Sequence, residues 1–382
     1  MKVALAHDFL TEYGGAERVL EALHEIWPDA PVYTAFCDPD GLGPHKERFA
    51  NWKIKTSWAQ HVPFFKKLYS PLRFLAPYLW NFDFSKYDVV ISSTNMYFAK
   101  NIPTSRKASR GKPAVHICYC HTPARALYGY ATQRDWKKRW YIRIYVSLVN
   151  HFLRIMDFKA AQKPDFFIAN SKEVQARIKK FYRRDSTVIY PPVEVSKVGK
   201  VPKVSKGEYF LSVGRLGAAK RVDVGIKAAQ KAGVPLKVVG TGIEEESLKK
   251  MANSTSPRLR GASVEFLGEV SDEELAKLYA GCKAVLFLAQ DEDFGIVPVE
   301  AMAYGKLVIA AASGGVVESV VDGVTGILLP EPLDVDELAK VLGKFDPKKF
   351  DSDKIRHHAE KFSKERFKKE IKEFVQKKYK KK

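Results

Sequence analysis

Apolar residues in this chain gather in short runs of strand length, separated by longer segments of helical period. Val3–Ala6 is a continuous apolar run, Gly14-Gly15 follows, and Val19, Leu20, Leu23 and Ile26 then fall at helical spacing. This predicts a buried strand, a turn and a helix from about Ala16 to Ile26. Further strands are predicted at Val89–Ser92, Val115–Tyr119 and Phe166–Ala169. Asn170-Ser171 supplies an N-cap for a helix running to Phe181, and Val188–Tyr190 is a last short strand. The run from Pro191-Pro192 to Gly207 has no helical period and reads as a linker.

The alternation then restarts. Strands are predicted at Tyr209–Val213, Leu236–Val239, Val264–Leu267, Ala284–Ala289, Leu307–Ala312 and Gly326–Leu329. Helices are predicted from Lys220, after Gly240-Thr241-Gly242, from the capping box at Ser271, over Gly295–Tyr304 and over Gly314–Val321. A basic helical segment from about Ser352 ends in a lysine-rich tail expected to fray. Short apolar strands alternating with helices imply parallel sheets covered on both faces, an α/β class. The expected division is 1–190, a linker over 191–207, 208–350 and a terminal segment 351–382. Two tandem Rossmann-like domains would place ligands at the carboxyl ends of their strands, facing one interdomain cleft.

Composition narrows the setting. A chain of 382 residues exceeds what one hydrophobic core usually serves. Its four cysteines, Cys37, Cys118, Cys120 and Cys282, are too scattered for a disulfide framework or a zinc site, and read as small buried residues of a reducing compartment. No charged-then-apolar leader opens the sequence and no run of about 18 apolar residues occurs, so a cytoplasmic location is expected. The formal net charge of +20 favours anionic partners. Nucleic acid is a poor candidate, because no recognisable binding module is present.

Candidate chemistry concentrates after predicted strand ends. Glu292 and Glu300 bracket Gly295-Ile296, whose N–H groups at a helix start would suit a phosphate or an anionic oxygen. The ordinary alternative is a first-turn glutamate stabilising the helix dipole beside a surface glutamate. Arg215 and Lys220 leave one strand end, where fixed cations would stabilise a departing pyrophosphate; solvated surface cations are the plain reading. Gly14-Gly15 would let a backbone approach a ligand, or simply open a helix. His121 ends an apolar strand at a Pro turn, placed to bond a sugar hydroxyl or to cap the chain. Asp291-Glu292-Asp293 has the form that holds a divalent cation on a diphosphate. Two domains and the Arg215/Lys220 pair argue instead for a site that needs no metal.

Together these residues resemble glycosyltransferase family 4. The resemblance rests on Glu292–Glu300 with Ala301–Gly305, Gly314-Gly315, Thr325-Gly326, Val213–Leu216 with Lys220, His7-Asp8 with Gly14–Glu17, Cys120–Pro123, Ala169–Ser171 and Ile189–Val193. Tyr304 stands where many members carry a small residue. The likeness spans about 1–345 and implies a GT-B fold, retention of configuration, no metal and no cofactor beyond a nucleotide-sugar donor. It also implies a last helix that crosses back to the N-terminal domain. Arg215 and Lys220 would bind the donor diphosphate, Glu292 the sugar and Glu300 the ribose, with Gly15 and His121 contributing from the N-terminal side. The opening is most similar to mannosyl- and related transferases of cell-surface glycan assembly. A GDP-sugar is expected over a UDP-sugar, and a glycan or polyprenyl-linked acceptor. The competing readings are a catalytically silent GT-B subunit of a glycan-assembly complex and a glucosyl- or galactosyltransferase using a UDP-sugar.

Two basic, aromatic stretches, His61–Trp80 (with Lys66, Lys67 and Arg73) and Trp136–Phe158 (with Lys137–Arg139 and Arg143), suit an anionic membrane surface, or helices packed inward with basic rims. Peripheral attachment to the cytoplasmic membrane is therefore expected.

Overall fold

The computed structural model describes residues 1–62, 80–102, 114–132, 140–195, 207–254 and 263–381, with backbone only at 141 and 142. The segment 63–79, which holds most of the first basic stretch, lies outside the described residues, as do 133–139 and most of the expected linker.

Strand β1 (Val3–His7) is buried at every position. It lies between β2 (Val32–Thr34) and β4 (Val89–Thr94), parallel to both. A strand with neighbours on each side and helices over each face has no solvent side, which is why it reads as a continuous apolar run. The sheet order is β3-β2-β1-β4-β5-β6-β7, with β3 at Ile54–Thr56, β5 at Val115–Cys120, β6 at Phe166–Ala169 and β7 at Ser186–Val188. One face packs Leu5, Ile91 and Ile117 against Val19, Leu20 and Leu23 of helix α1 (Gly15–Ile26). The other face packs Ala4, Ala6 and Val90 in a cluster with Leu153. Leu153 belongs to α3 (Trp140–Ala161), which follows the short α2 (Arg125–Tyr128). Helix α4 (Lys172–Tyr182) is capped by the Ser171 hydroxyl, which accepts the Val174 N–H at 3.0 Å.

The second sheet repeats the plan in the order β10-β9-β8-β11-β12-β13. Its chain order is β8 (Tyr209–Val213), α5 (Val222–Ala232), β9 (Leu236–Val239), α6 (Glu245–Asn253), β10 (Val264–Gly268) and α7 (Asp272–Gly281). It continues with β11 (Cys282–Phe287), α8 (Ile296–Ala303), β12 (Leu307–Ala311), α9 (Val316–Ser319), β13 (Gly326–Leu329), α10 (Val335–Gly343) and α11 (Ser352–Glu360). The chain divides into two compact units: Met1–Gly129 with Lys137–Pro192 and Lys364–Lys382, and Tyr130–Trp136 with Val193–Ser363.

The terminal segment 351–382, expected as one piece, is two helices in different units. Helix α11 belongs to the second unit, where Phe362 turns inward beside Phe294 (centroids 5.4 Å apart). Helix α12 (Lys364–Lys381) belongs to the first, burying Phe367, Ile371 and Val375. Its Lys364 and Lys368 meet Glu25 at 3.1 and 2.9 Å. The tail expected to fray is helical to Lys381, with the Lys378 ammonium 4.4 Å from the Phe166 ring centroid. Cys118, Cys120 and Cys282 are buried free thiols, and burial pushes Cys118 and Cys282 up to about 12.

Candidate active-site clusters

In the second unit, β8 and β11 are neighbours at the sheet centre, yet the chain leaves them toward opposite edges. Loops at such a switch point diverge and leave a crevice at the carboxyl ends of the strands. Lys220 follows β8 and Glu292 follows β11. The Lys220 ammonium donates to Glu292 Oε2 at 2.6 Å and lies 5.4 Å from the Phe287 ring centroid. The loops are tied through their backbones, since the Gln290 N–H donates to the Ala219 carbonyl at 2.8 Å.

Glycines let neighbouring loops support this pair. The Gly315 N–H donates to the Glu292 carbonyl at 2.8 Å. A Cβ on Gly314 would lie 2.3 Å from that same carbonyl, and Gly314 has φ +67, so no other residue fits without strain. The loop carrying the exposed Arg215 is braced in the same way. Leu216 donates its N–H to Thr241 O at 2.9 Å, and a Cβ on Gly240 would strike the Gly214 carbonyl at 2.1 Å.

Gly295 is buried with φ 86, and Ile296 begins α8. Glu300 lies further along α8, where its Oε2 accepts the Tyr279 hydroxyl at 3.0 Å. Tyr279 in turn stacks on Tyr304, with centroids 5.4 Å apart, so the large residue at 304 has its own partner. Within Asp291-Glu292-Asp293, Asp291 adopts φ 54 and accepts the Ala131 N–H at 3.1 Å, while Glu292 holds Lys220. Among the described residues, no group of three His, Cys, Asp or Glu side chains is arranged to hold a metal ion.

In the first unit the switch point falls between β1 and β4, and a line of polar groups occupies it. Glu17 Oε1 and His7 Nε2 lie 3.2 Å apart. His7 Nδ1 is 3.0 Å from the Ser93 carbonyl, and the Ser93 hydroxyl is 2.8 Å from His121 Nε2. Burial first, and the neighbouring His7 second, push His121 down to about 3, although Glu17 opposes the shift. His121 is therefore neutral near pH 7 and can exchange hydrogen bonds but not act as a fixed cation. Gly14 is the N-cap of α1 in an extended conformation open to any residue, so the turn itself does not demand glycine there. Asp8 accepts the N–H groups of Asn95, Met96 and Ala99, each at 2.9 Å, and thereby shapes the loop after β4.

Sequence patterning brought out neither Ser93 nor Tyr279, and Glu17 only within the run Gly14–Glu17 that carries the family resemblance, with no role of its own. The one available signal was Ser92-Ser93-Thr94, three hydroxyls closing an apolar run at a strand end. The bracing role of Gly240 and Gly314 depends on chain segments distant in sequence.

The described chain thus comprises two Rossmann-like units, each with polar groups gathered at its switch point. Residues 13–197 match the profile of Glycosyltransferase Family 4, and residues 196–374 that of Glycosyl transferases group 1. The alpha-1,3/1,6-mannosyltransferase ALG2 of Homo sapiens is 30% identical over 301 residues, covering 70% of this chain and 68% of its own. Its Mus musculus counterpart is 27% identical over 365 residues, covering 85% and 83%. The crystal structure of Anabaena Alr3699/HepE in complex with UDP superposes with a TM-score of 0.70 at 22% identity, over 99% of this chain and 100% of that one. The chain belongs to glycosyltransferase family 4.

Proposed function

We propose that this glycosyltransferase moves a mannose, with retention of configuration, from GDP-mannose to a glycan or polyprenyl-linked acceptor. The observation that carries this reading is the Lys220–Glu292 pair, 2.6 Å apart and assembled from the two loops of the switch point. An ammonium there can neutralise charge that grows on the donor diphosphate as the glycosidic bond breaks. Arg215 adds a second cation from the same loop. Glu292 then accepts hydrogen bonds from sugar hydroxyls, and Glu300, further along α8, reaches the ribose. Retention needs no carboxylate nucleophile in this scheme, because the departing phosphate takes the acceptor's proton. Mannose is favoured by the similarity to the ALG2 mannosyltransferases. A UDP-hexose is the second reading, motivated by the UDP-bound protein of the same fold.

Thermal stabilisation by GDP- and UDP-sugars separates the two. A ligand at about 100 times its Kd adds roughly 2.7 kcal/mol to the unit that binds it. GDP-mannose is expected to raise the transition temperature more than UDP-glucose at equal concentration; the reverse order replaces the mannose assignment with the UDP-hexose one.

Transfer is also proposed to be independent of divalent metal, with Lys220 and Arg215 taking the cation's part. Full turnover is expected in excess EDTA. Loss of activity that Mg²⁺ or Mn²⁺ restores would return Asp291-Glu292-Asp293 to the role of metal site.

Among the described residues, no helix is long and apolar enough to cross a membrane. We place the protein at the inner face of the cytoplasmic membrane as a peripheral enzyme, because a charge of +20 favours an anionic surface and a lipid-linked acceptor presents its polar head there.

A further inference from the structure

Helix α3 has one apolar face in a core cluster and another that is largely exposed. Inward, Leu153 joins the core, Asn150 Nδ2 donates to the Ala126 carbonyl at 2.9 Å, and Asp157 is completely buried. Outward, Trp140, Ile144, Leu148 and Phe152 are 72%, 55%, 61% and 63% exposed. Spacings of four residues, continued by Ile155 three further on, align them as one stripe about 22 Å long. A contiguous apolar surface of this kind marks an interaction site rather than scattered surface residues.

The charges around the stripe say what covers it. Arg143, Arg154 and Lys159 are exposed on α3, whereas Asp157, the single acidic residue of the helix, points inward. Toward its end the stripe adjoins a concavity of about 470 Å³ with Tyr128, Ile155, Phe158 and Phe181 in its lining and Arg154 and Lys159 among its charged groups. A second copy of the chain would set Arg143 and Arg154 against their own kind. Anionic lipid complements both the cations and the apolar stripe.

Resting on the peripheral reading above, we propose that the outward face of α3 is the membrane-contacting element of the first unit. It lies in the headgroup plane of an anionic bilayer, with Ile144, Leu148 and Phe152 reaching the acyl boundary and Arg143 and Arg154 on lipid phosphates. The apolar part should resist salt, while the cationic part is screened.

The test is co-sedimentation of the full chain with vesicles of phosphatidylglycerol in phosphatidylcholine, or of phosphatidylcholine alone, at low and high salt. Wild-type protein is expected to bind the anionic vesicles. The triple variant Ile144→Ser/Leu148→Ser/Phe152→Ser should lose at least about tenfold in affinity at both salt concentrations. Arg143→Gln/Arg154→Gln should lose roughly 30-fold at low salt and much less at high salt. An unchanged transition temperature of the first unit verifies that each variant is folded. Triple-variant binding equal to wild type overturns the role of α3 and leaves peripheral attachment standing. No binding by the wild-type chain overturns both. A wild-type dimer that the triple variant dissolves assigns the stripe to self-association and overturns the membrane assignment.

Discussion

Replacing Lys220 with alanine is expected to lower kcat by about 10²–10³-fold, roughly 2.7–4 kcal/mol of transition-state stabilisation, with little change in folding stability. Glu292→Gln should fall in the same range, because it keeps the shape of the side chain and removes the charge. The reason is the position of the pair: the two groups meet at 2.6 Å at the switch point of the second sheet, on loops tied through Gln290 and Ala219. Lys220 and Glu292 are only partly buried, and ion pairs near solvent contribute about 0–1 kcal/mol to stability. A large fall in turnover with a small fall in transition temperature would therefore separate catalysis from folding. Lys220→Arg, which keeps a cation, should recover part of the loss. Measurements of kcat, KM and transition temperature on the three variants check this. Near-wild-type turnover in both Lys220→Ala and Glu292→Gln would remove the pair from the reaction.

The largest effect on stability is expected in the first unit, at Lys100 and Asp157. Both side chains are wholly buried, with Lys100 Nζ 2.6 Å from Asp157 Oδ1. Lys100 also donates to the Tyr182 hydroxyl and the Met96 carbonyl, each at 2.7 Å, and the Tyr128 hydroxyl donates to Asp157 Oδ2 at 2.8 Å. Burial pushes the Lys100 ammonium down, but the Asp157 carboxylate, with Cys120 and Cys118 adding, outweighs it and holds Lys100 above the ordinary lysine value. Removing one partner leaves a buried charge uncompensated and costs about 3–5 kcal/mol. For a unit of this size, Lys100→Met should lower the transition temperature of the first unit by roughly 6–20 °C. The double variant Lys100→Met/Asp157→Leu should regain most of the loss, since apolar replacement of both partners is often neutral. Calorimetry with the second unit's transition as internal reference reads both. A shift below about 2 °C in the single variant would show that the pair contributes little.

Much of the fold was legible from local pattern. β1, β4, β5 and β6 in the first unit, and β8, β9, β11 and β12 in the second, are apolar runs, because a central parallel strand is buried on both faces, and the edge strands β10 and β13 were legible beside them. α1 and α4 showed their helical period, and Ser171 its cap. The Glu292–Glu300 motif, Arg215 and Lys220 were visible because loops after strands carry residues whose types packing does not dictate. β2 and β3, each three residues long, went unread, because three residues are too few to display a period. The last strand of the first sheet was expected at 188–190 but lies at Ser186–Val188, where half-exposed edge residues blur the apolar signal. α10 was not read either, although its apolar face is buried.

Local pattern in the sequence was enough to read most strands and helices, the succession of two similar units, and the residues that carry the candidate chemistry. These are consequences of backbone geometry acting over a few residues. Which of those residues meet was set by packing over the whole unit. Lys220 and Glu292 are 72 positions apart and Lys100 and Asp157 are 57 apart; they touch because sheet order brings their elements together. The same holds for the polar line from Glu17 through His7 and Ser93 to His121. It also holds for α3, whose two apolar faces look alike in sequence. Which of them is buried depends on what the sheet places beneath the helix, and that is a property of the whole unit.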